Sequence, residues 1–285
     1  MGCDGLWFKG EMGLRVQDFG RFDDEVTLFG GPYSNVHALR ALVSHQNGAP
    51  AICTGDIVAY CADPVETVAL MRGLNWPVVT GNCEIQIAED APDCGCGFEE
   101  GMACELLSRT WYPYARDALD DAAKGWMGAL PMIGTFAQQD RRYAVIHGGI
   151  TAINRFLWPS SDAGDFKVEI AAIEKAVGPV NGIVAGHCGI PFHRWIGAHH
   201  WINAGVIGLP PHDGRPATRF ATLKDGDVRF HHLDYDHASA RAAMEAAGLV
   251  QGYHRALETG IWPSEDILPN ELRAQSTISE ARAAL

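Results

Sequence analysis

The sequence predicts an α/β protein built around a parallel sheet, and three observations predict it. Short apolar runs bounded by glycine alternate with helix-length amphipathic segments over the first part of the chain. Two later apolar runs, "RYAVIHGG" and "NGIVAGHC", each end on a histidine and flank the helical stretch "VEIAAIEKAVG". Finally, 285 residues at 47% hydrophobic content are enough for one large core or two small ones, with no internal repeat or low-complexity linker to divide them. One domain over 1–285 is therefore the economical reading.

In chain order, "EVTLFG" reads as a strand running into a Gly-Gly-Pro turn. "NVHALRALVSHQ" reads as a helix with Asn35 as its N-cap, because an amide oxygen there can accept an otherwise orphaned backbone N–H. "APAICTG" is a strand, "DPVETVALMRGL" a helix with Pro64 in its first turn, and "WPVVTGN" a third strand. Three strands joined by two helical crossovers make a βαβαβ unit. From about 85 to 140 the pattern turns helical and alanine-rich and reads as an inserted cap. "RYAVIHGG", "NGIVAGHC" and "HHWINAGVIG" follow as strands. "ATRFATLKDGDVRFHHLDYD" is a hairpin turning at Asp225-Gly226, with flanks that alternate in polarity. The tail, about 238–285, reads as helical and polar.

Composition narrows the function. A formal net charge of -13 argues against nucleic-acid and anionic-membrane binding, both of which need a basic face. It leaves room for a small anionic substrate, since a bound metal inverts the local field. No apolar run is long enough to span a bilayer. The start, MGCDGLWFKGEMG, has no basic region followed by an apolar core, and Leu6 stands where a myristoylation motif wants Ser or Thr. Eight cysteines without a secretory signal point to reduced thiols and a cytoplasmic location. Cys94 and Cys96, with Cys104 behind them, lack the usual zinc spacing and a second ligand pair.

The chemistry gathers at the ends of strands. "CTGDIV" puts Asp56 after the second strand, "VTGNCE" puts Asn82 after the third, and His147 and His187 follow the two later ones. In an open α/β sheet such ends converge on one edge. One carboxylate, one amide oxygen and two imidazoles form a credible ligand set for Zn²⁺, Mn²⁺ or Fe. Taken singly each has a bland reading, as a turn former, an N-cap or a hydrogen-bonded histidine. Adjacent pairs such as His199/His200 and His231/His232 point to opposite faces of a strand, so at most one of each could face a site. His37, on the first helix, reads as belonging to its solvated face.

With those residues in place, the chain resembles the calcineurin-like metallophosphoesterases of the small bacterial and archaeal type. The resemblance rests on "GDIVAYCADP", "GNCE", "VIHGG" and "GHCGIPF", with "INAGVIG" after them, and covers about 26–235. It implies a β-sandwich of two mixed sheets flanked by helices (α/β/β/α), and hydrolysis of phosphomonoesters or phosphodiesters by metal-activated water. It also implies a metal site at Asp56, Asn82, His147 and His187.

The departures are as informative as the match. The family's other metal site draws on three positions that are Gly31, Tyr33 and Gly189 here, and the family's catalytic histidine is Cys83. Glu84 remains as an acid able to orient neighbours. The losses remove one metal and spare the other, which implies a reduced, mononuclear site with one divalent ion per chain. Cys83, Glu84 and Tyr33 are the candidates for local catalytic roles.

Three readings stay open: a phosphoesterase on one metal, a catalytically lost relative that binds a metal or phosphorylated ligand, and a site rebuilt around Cys83 and Cys188 thiolates. The plain reading of both cysteines is that they fill space. A small phosphorylated molecule is the implied substrate or ligand, and a homo-oligomer is compatible with the sequence.

Overall fold

A computed structural model describes residues 13–96 and 103–273 of the chain. The start of the chain, Cys104's side chain and the Ala/Arg/Glu-rich end of the tail lie outside the described residues.

Two mixed sheets form the centre. The smaller contains β2 (Val26–Phe29), β3 (Ala51–Cys53), β9 (Thr218–Lys224) and β10 (Asp227–Leu233), in the order β10-β9-β2-β3. The larger contains β1 (Val16–Arg21), β4 (Ile133–Gln138), β5 (Arg141–Val145), β6 (Gly182–Ala185), β7 (Phe192–Ile196) and β8 (His199–Asn203), in the order β1-β4-β5-β6-β8-β7. Pairings β2–β3, β1–β4, β5–β6 and β6–β8 are parallel; β4–β5, β7–β8, β2–β9 and β9–β10 are antiparallel.

Period-two alternation makes this a sandwich. Leu28 and Ile52 face inward and pack with Tyr143, Val145, Val184 and Ile202 of the other sheet. Their neighbours Phe29 and Cys53 face out, into a second core with α1 (Val36–Gln46), α2 (Pro64–Leu74), α4 (Ala103–Ala118), α5 (Asp121–Ala129), α7 (His237–Ala246) and α8 (Tyr253–Thr259). The far face of the larger sheet is covered by α6 (Ala163–Val177), whose Phe166, Ile170 and Ile173 pack on Ala144, Ile183 and Trp201. The layers are therefore α/β/β/α, as the resemblance implies.

Local signals hold where side-chain chemistry dictates them. Asn35 caps α1, accepting from the N–H of Ala38 at 3.1 Å, and its amide also donates to the Gly208 carbonyl at 3.0 Å. Pro64 opens α2. Asp225 and Gly226, both at positive φ, turn the β9–β10 hairpin.

Four expectations need correction. "WPVVTGN" is not a full strand: Val78 makes only one parallel bridge to Cys53. The helical insert stops at Ala129, because β4 is a buried strand within the larger sheet. β1 and β7 were not expected. β1 is an exposed edge strand and β7 exposes its middle residues, so neither shows an apolar signal. Past α8 the tail has only a short 3₁₀ turn at Asn270–Leu272 before the described residues end.

Candidate metal centre

The four expected ligands do converge. Asp56 follows β3, His147 follows β5, His187 follows β6, and Asn82 is the first residue of α3 (Asn82–Ala88). His147 Nε2 stands 3.2 Å from Asp56 Oδ2, 3.1 Å from Asn82 Oδ1 and 3.0 Å from His187 Nδ1. His187 Nδ1 is 4.0 Å from Asp56 Oδ2. Ligand bonds of about 2.0–2.2 Å put neighbouring donor atoms about 3–3.5 Å apart around one ion, so three of these four separations fit and the fourth is slightly long. All four residues are buried.

The backbone is bent to achieve this. Asp56 and His187 both lie at positive φ, 56° and 63°, a region that non-glycine residues enter only under constraint. The constraint on Asp56 is Glu84. One Glu84 oxygen accepts the N–H of Asp56 at 2.8 Å and of Gly81 at 2.7 Å; the other accepts the N–H of Ile57 at 2.7 Å. Gly81 has to be glycine, since a Cβ there would run into the Asp56 carboxylate. Asn203 braces the His187 loop, donating to the Gly186 carbonyl at 2.7 Å and to Cys188 Sγ at 3.2 Å.

The charge balance asks for a cation. Burial disfavours the Asp56 carboxylate, but the imidazoles of His147 and His187 and the Cys83 N–H outweigh it and hold its pKa below the ordinary value. Burial also works against a charged His147, yet Asp56 outweighs it and raises the His147 pKa. Burial, then the neighbouring His147, push His187 down to about 3, leaving a neutral imidazole. Burial and the nearby Asp56 raise Glu84 to about 7. His147 Nδ1 lies 2.7 Å from the Thr54 carbonyl, so the proton of the neutral ring belongs there and Nε2 then has a lone pair to offer a metal. Ligand atoms of Asp56, His147 and His187 thus lie together, with the Asn82 amide oxygen beside His147, and a donor set of two imidazoles, a carboxylate and an amide oxygen suits a divalent metal.

The remaining sequence candidates fall into distinct places. Tyr33 lines a pocket next to Asp56 and His187. Its ring folds back over Gly31: a Cβ on Gly31 would stand 2.5–2.8 Å from three Tyr33 ring atoms. Gly189 is covered likewise by the Trp262 ring, 3.3 Å from where its Cβ would be. The pocket itself stays open, with a cavity of about 40 Å³, room for a few waters.

Cys83 Sγ sits behind Asn82, 3.6 Å from its amide nitrogen, which also donates to the Cys94 carbonyl at 2.9 Å and to Cys96 Sγ at 3.3 Å. Burial pushes the Cys188 thiol up to about 12, and Cys188 packs in the core under the larger sheet. His37 lies 4.0 Å from Asp63, His199 pairs with Glu174, and His231 bonds Thr222, so none of them joins the cluster. Trp262 and Phe156 carry no strand-end or spacing signal in the sequence; Asn203 does, as the last residue of β8 within "INAGVIG", but was not singled out.

No family model matches the sequence, and no curated protein matches it. Solved structures do. A metallophosphoesterase from Sphaerobacter thermophilus aligns over 84% of this chain and 100% of its own, at 21% identity and a TM-score of 0.64. A hypothetical protein from Pyrococcus horikoshii OT3 aligns over 83% and 98%, at 15% identity and a TM-score of 0.69. At such identities the likeness is one of architecture: this chain has the calcineurin-like metallophosphoesterase fold.

Proposed function

We propose that the protein is a metal-dependent phosphoesterase working with a single divalent ion, Zn²⁺, Mn²⁺ or Fe²⁺, held by Asp56, Asn82, His147 and His187. The observation that carries this reading is the asymmetry of the site. Donor atoms of Asp56, His147 and His187 gather on one side, with the Asn82 amide oxygen next to His147, while aromatic rings from Tyr33 and Trp262 cover the glycines on the other. A divalent ion bound there would act as a Lewis acid on a phosphoryl oxygen and lower the pKa of a bound water.

The chain's own groups set the stage for that chemistry. Asp56 supplies the negative ligand. His147, its tautomer set by the Thr54 carbonyl, supplies a neutral one, as does His187. Glu84 is a positioning residue, since its oxygens accept backbone N–H groups, and it holds Asp56 in its left-handed conformation. Cys83 is also a positioning residue, packed against the Asn82 amide. Tyr33 is the one of the three catalytic candidates that borders the pocket, and its hydroxyl is the candidate donor to substrate.

A second reading is supported by two observations: Cys83 stands where the family pattern has an imidazole, and among the described residues no lysine or arginine lines the pocket. Turnover would then lack a general acid, usually worth about 10²–10⁴-fold, and the protein would bind a phosphorylated ligand without cleaving it.

Metal analysis of the purified protein, beside a His187→Ala variant, tests the site. One ion per chain, lost in the variant, is expected; two per chain would refute it. Hydrolysis of an aryl phosphate with Mn²⁺, Zn²⁺ or Fe²⁺, abolished by Asp56→Asn, separates the enzyme from the binding protein.

A further inference from the structure

The pocket beside the metal cluster has an unusual lining for a site that handles phosphate. Aromatic side chains from distant parts of the chain meet there: Tyr33 and Tyr60 from the loops after β2 and β3, Phe156 from the segment before α6, and Tyr253 and Trp262 from the tail. Among the described residues, Asp56 is the one acidic residue in the lining, and no lysine or arginine lines the wall. A free phosphate would find the metal and hydroxyl donors such as that of Tyr33 but no lysine or arginine among the described lining residues, whereas an apolar ring would find a largely aromatic wall.

These rings are held in place. Tyr33 and Ser34 sit at consecutive positive φ values, 52° and 57°, which turn the Tyr33 ring back into the loop. Tyr33 meets Tyr60 edge-on at 4.8 Å, and Tyr60 packs on Tyr253 at 4.3 Å. The Trp262 indole donates to the Pro210 carbonyl at 2.7 Å, and its backbone N–H donates to His212 Nδ1 at 2.9 Å. His212 is in turn anchored on Glu265 at 2.7 Å. Phe156 lies 4.3 Å from the His187 ring and stacks on Trp158. Tyr60, Phe156 and Trp262 are only partly buried, so part of each surface is left for a ligand. A side chain at Gly189 would press on Trp262, so the glycine leaves that indole its position.

We propose that this aromatic pocket is a substrate subsite that takes the uncharged, planar aromatic group of a phosphoester, with the phosphoryl group directed at Asp56 and the histidines. This deepens the phosphoesterase reading and rests on it for the phosphoryl end alone. Recognition would come from stacking and desolvation rather than from cations, which sets the substrate class apart from small polyanions.

Binding of non-hydrolysable ligands tests the proposal without relying on turnover. Calorimetric titration of the metal-loaded and metal-free protein would use phenylphosphonate, methylphosphonate and phenol. Phenylphosphonate is expected to bind metal-loaded protein at least about tenfold more tightly than methylphosphonate, the ratio that burying a ring supplies. Trp262→Leu should remove most of that ratio while leaving the metal content unchanged. Should that variant fail to fold, Tyr60→Leu serves the same purpose.

Equal binding of the phenyl and methyl compounds would overturn the subsite, as would a ratio that neither variant alters. Phenol binding that depends on Trp262, with neither phosphonate bound in the presence of metal, would keep the aromatic subsite and refute the phosphoesterase reading instead. Failure of both phenol and phenylphosphonate to bind would overturn the subsite.

Discussion

His147 Nε2 and His187 Nδ1 face one another at 3.0 Å, with Asp56 Oδ2 at 3.2 Å from the first. Two imidazole lone pairs cannot share that gap with a carboxylate unless a proton or a cation lies between them. Without a metal, a proton taken up in this gap belongs to His147, whose pKa Asp56 raises despite burial, rather than to His187, whose pKa is held down to about 3.

The pH dependence of the metal-free protein follows in sign. His147 binds its proton more tightly folded than unfolded. Its stabilising contribution is therefore full below about pH 6.5 and is lost as pH rises through its raised folded value. His187 has the opposite sign: the unfolded chain takes up a proton near pH 6.5 while the folded one waits until about 3, so stability falls as pH drops between them. Thermal unfolding in EDTA should accordingly show this pair's contribution peaking near pH 6.5. Added Zn²⁺ or Mn²⁺ should stabilise more strongly at pH 8 than at pH 6, with proton release on binding at the lower pH. Stabilisation by metal that is independent of pH would contradict the shared-proton picture.

Glu84 offers a test of what holds the site in shape. Glu84→Gln keeps the volume but turns an NH₂ group toward backbone N–H donors of Gly81 and Asp56 or of Ile57. Orphaning one or two buried donors costs about 2–4 kcal/mol in total. The urea midpoint should fall accordingly. Metal affinity should drop about 10–100-fold, the usual penalty when a group that orients a ligand is lost. Unchanged affinity in a destabilised variant would show that Glu84 supports the fold without positioning Asp56.

The legible part of this protein is the part written at strand ends. Gly55-Asp56, Gly81-Asn82, His147-Gly148 and Gly186-His187 pair a ligand with a residue that lets the chain turn, and that signature survives without neighbours. The capping of α1 by Asn35 and the turn at Asp225-Gly226 were legible because each needs only a few adjacent residues. β1 was not, since an exposed edge strand has no buried face to impose alternation. β4 was hidden by the alanine-rich helices before it. The aromatic pocket was least legible of all, for Trp262 reaches Gly189 across the fold and nothing in either local sequence announces the contact.

The six described cysteines, Cys53, Cys61, Cys83, Cys94, Cys96 and Cys188, are buried and free, and burial is a cause of every upward shift in their pKa values. A thiol without thiolate character reacts slowly. Native protein treated with a thiol-specific aromatic disulfide should leave these six unmodified in peptide mapping, and urea should expose them together. Rapid native labelling of Cys83 or Cys188 would revive the idea of a thiol-based site.

The proposal of a single metal can be challenged by Gly31→Asp. In the family pattern an acid belongs there, so a merely drifted site would gain its second ion from this change together with its neighbours. Here the new Cβ would meet the Tyr33 ring at 2.5–2.8 Å, and Gly31 sits at φ 40°, where a side chain adds strain. Tyr33 is buried against Tyr60 and has little room to swing away. Overpacking of this kind costs about 1–3 kcal/mol. The variant should therefore melt lower and still hold one ion per chain. Gly31→Asp combined with Tyr33→His relieves the clash and should recover much of the lost stability, though Gly189 still withholds the third ligand. A second stoichiometric ion in the single variant, measured by elemental analysis, would mean that the aromatic replacement is reversible and that Tyr33 is a plug rather than part of a rebuilt wall.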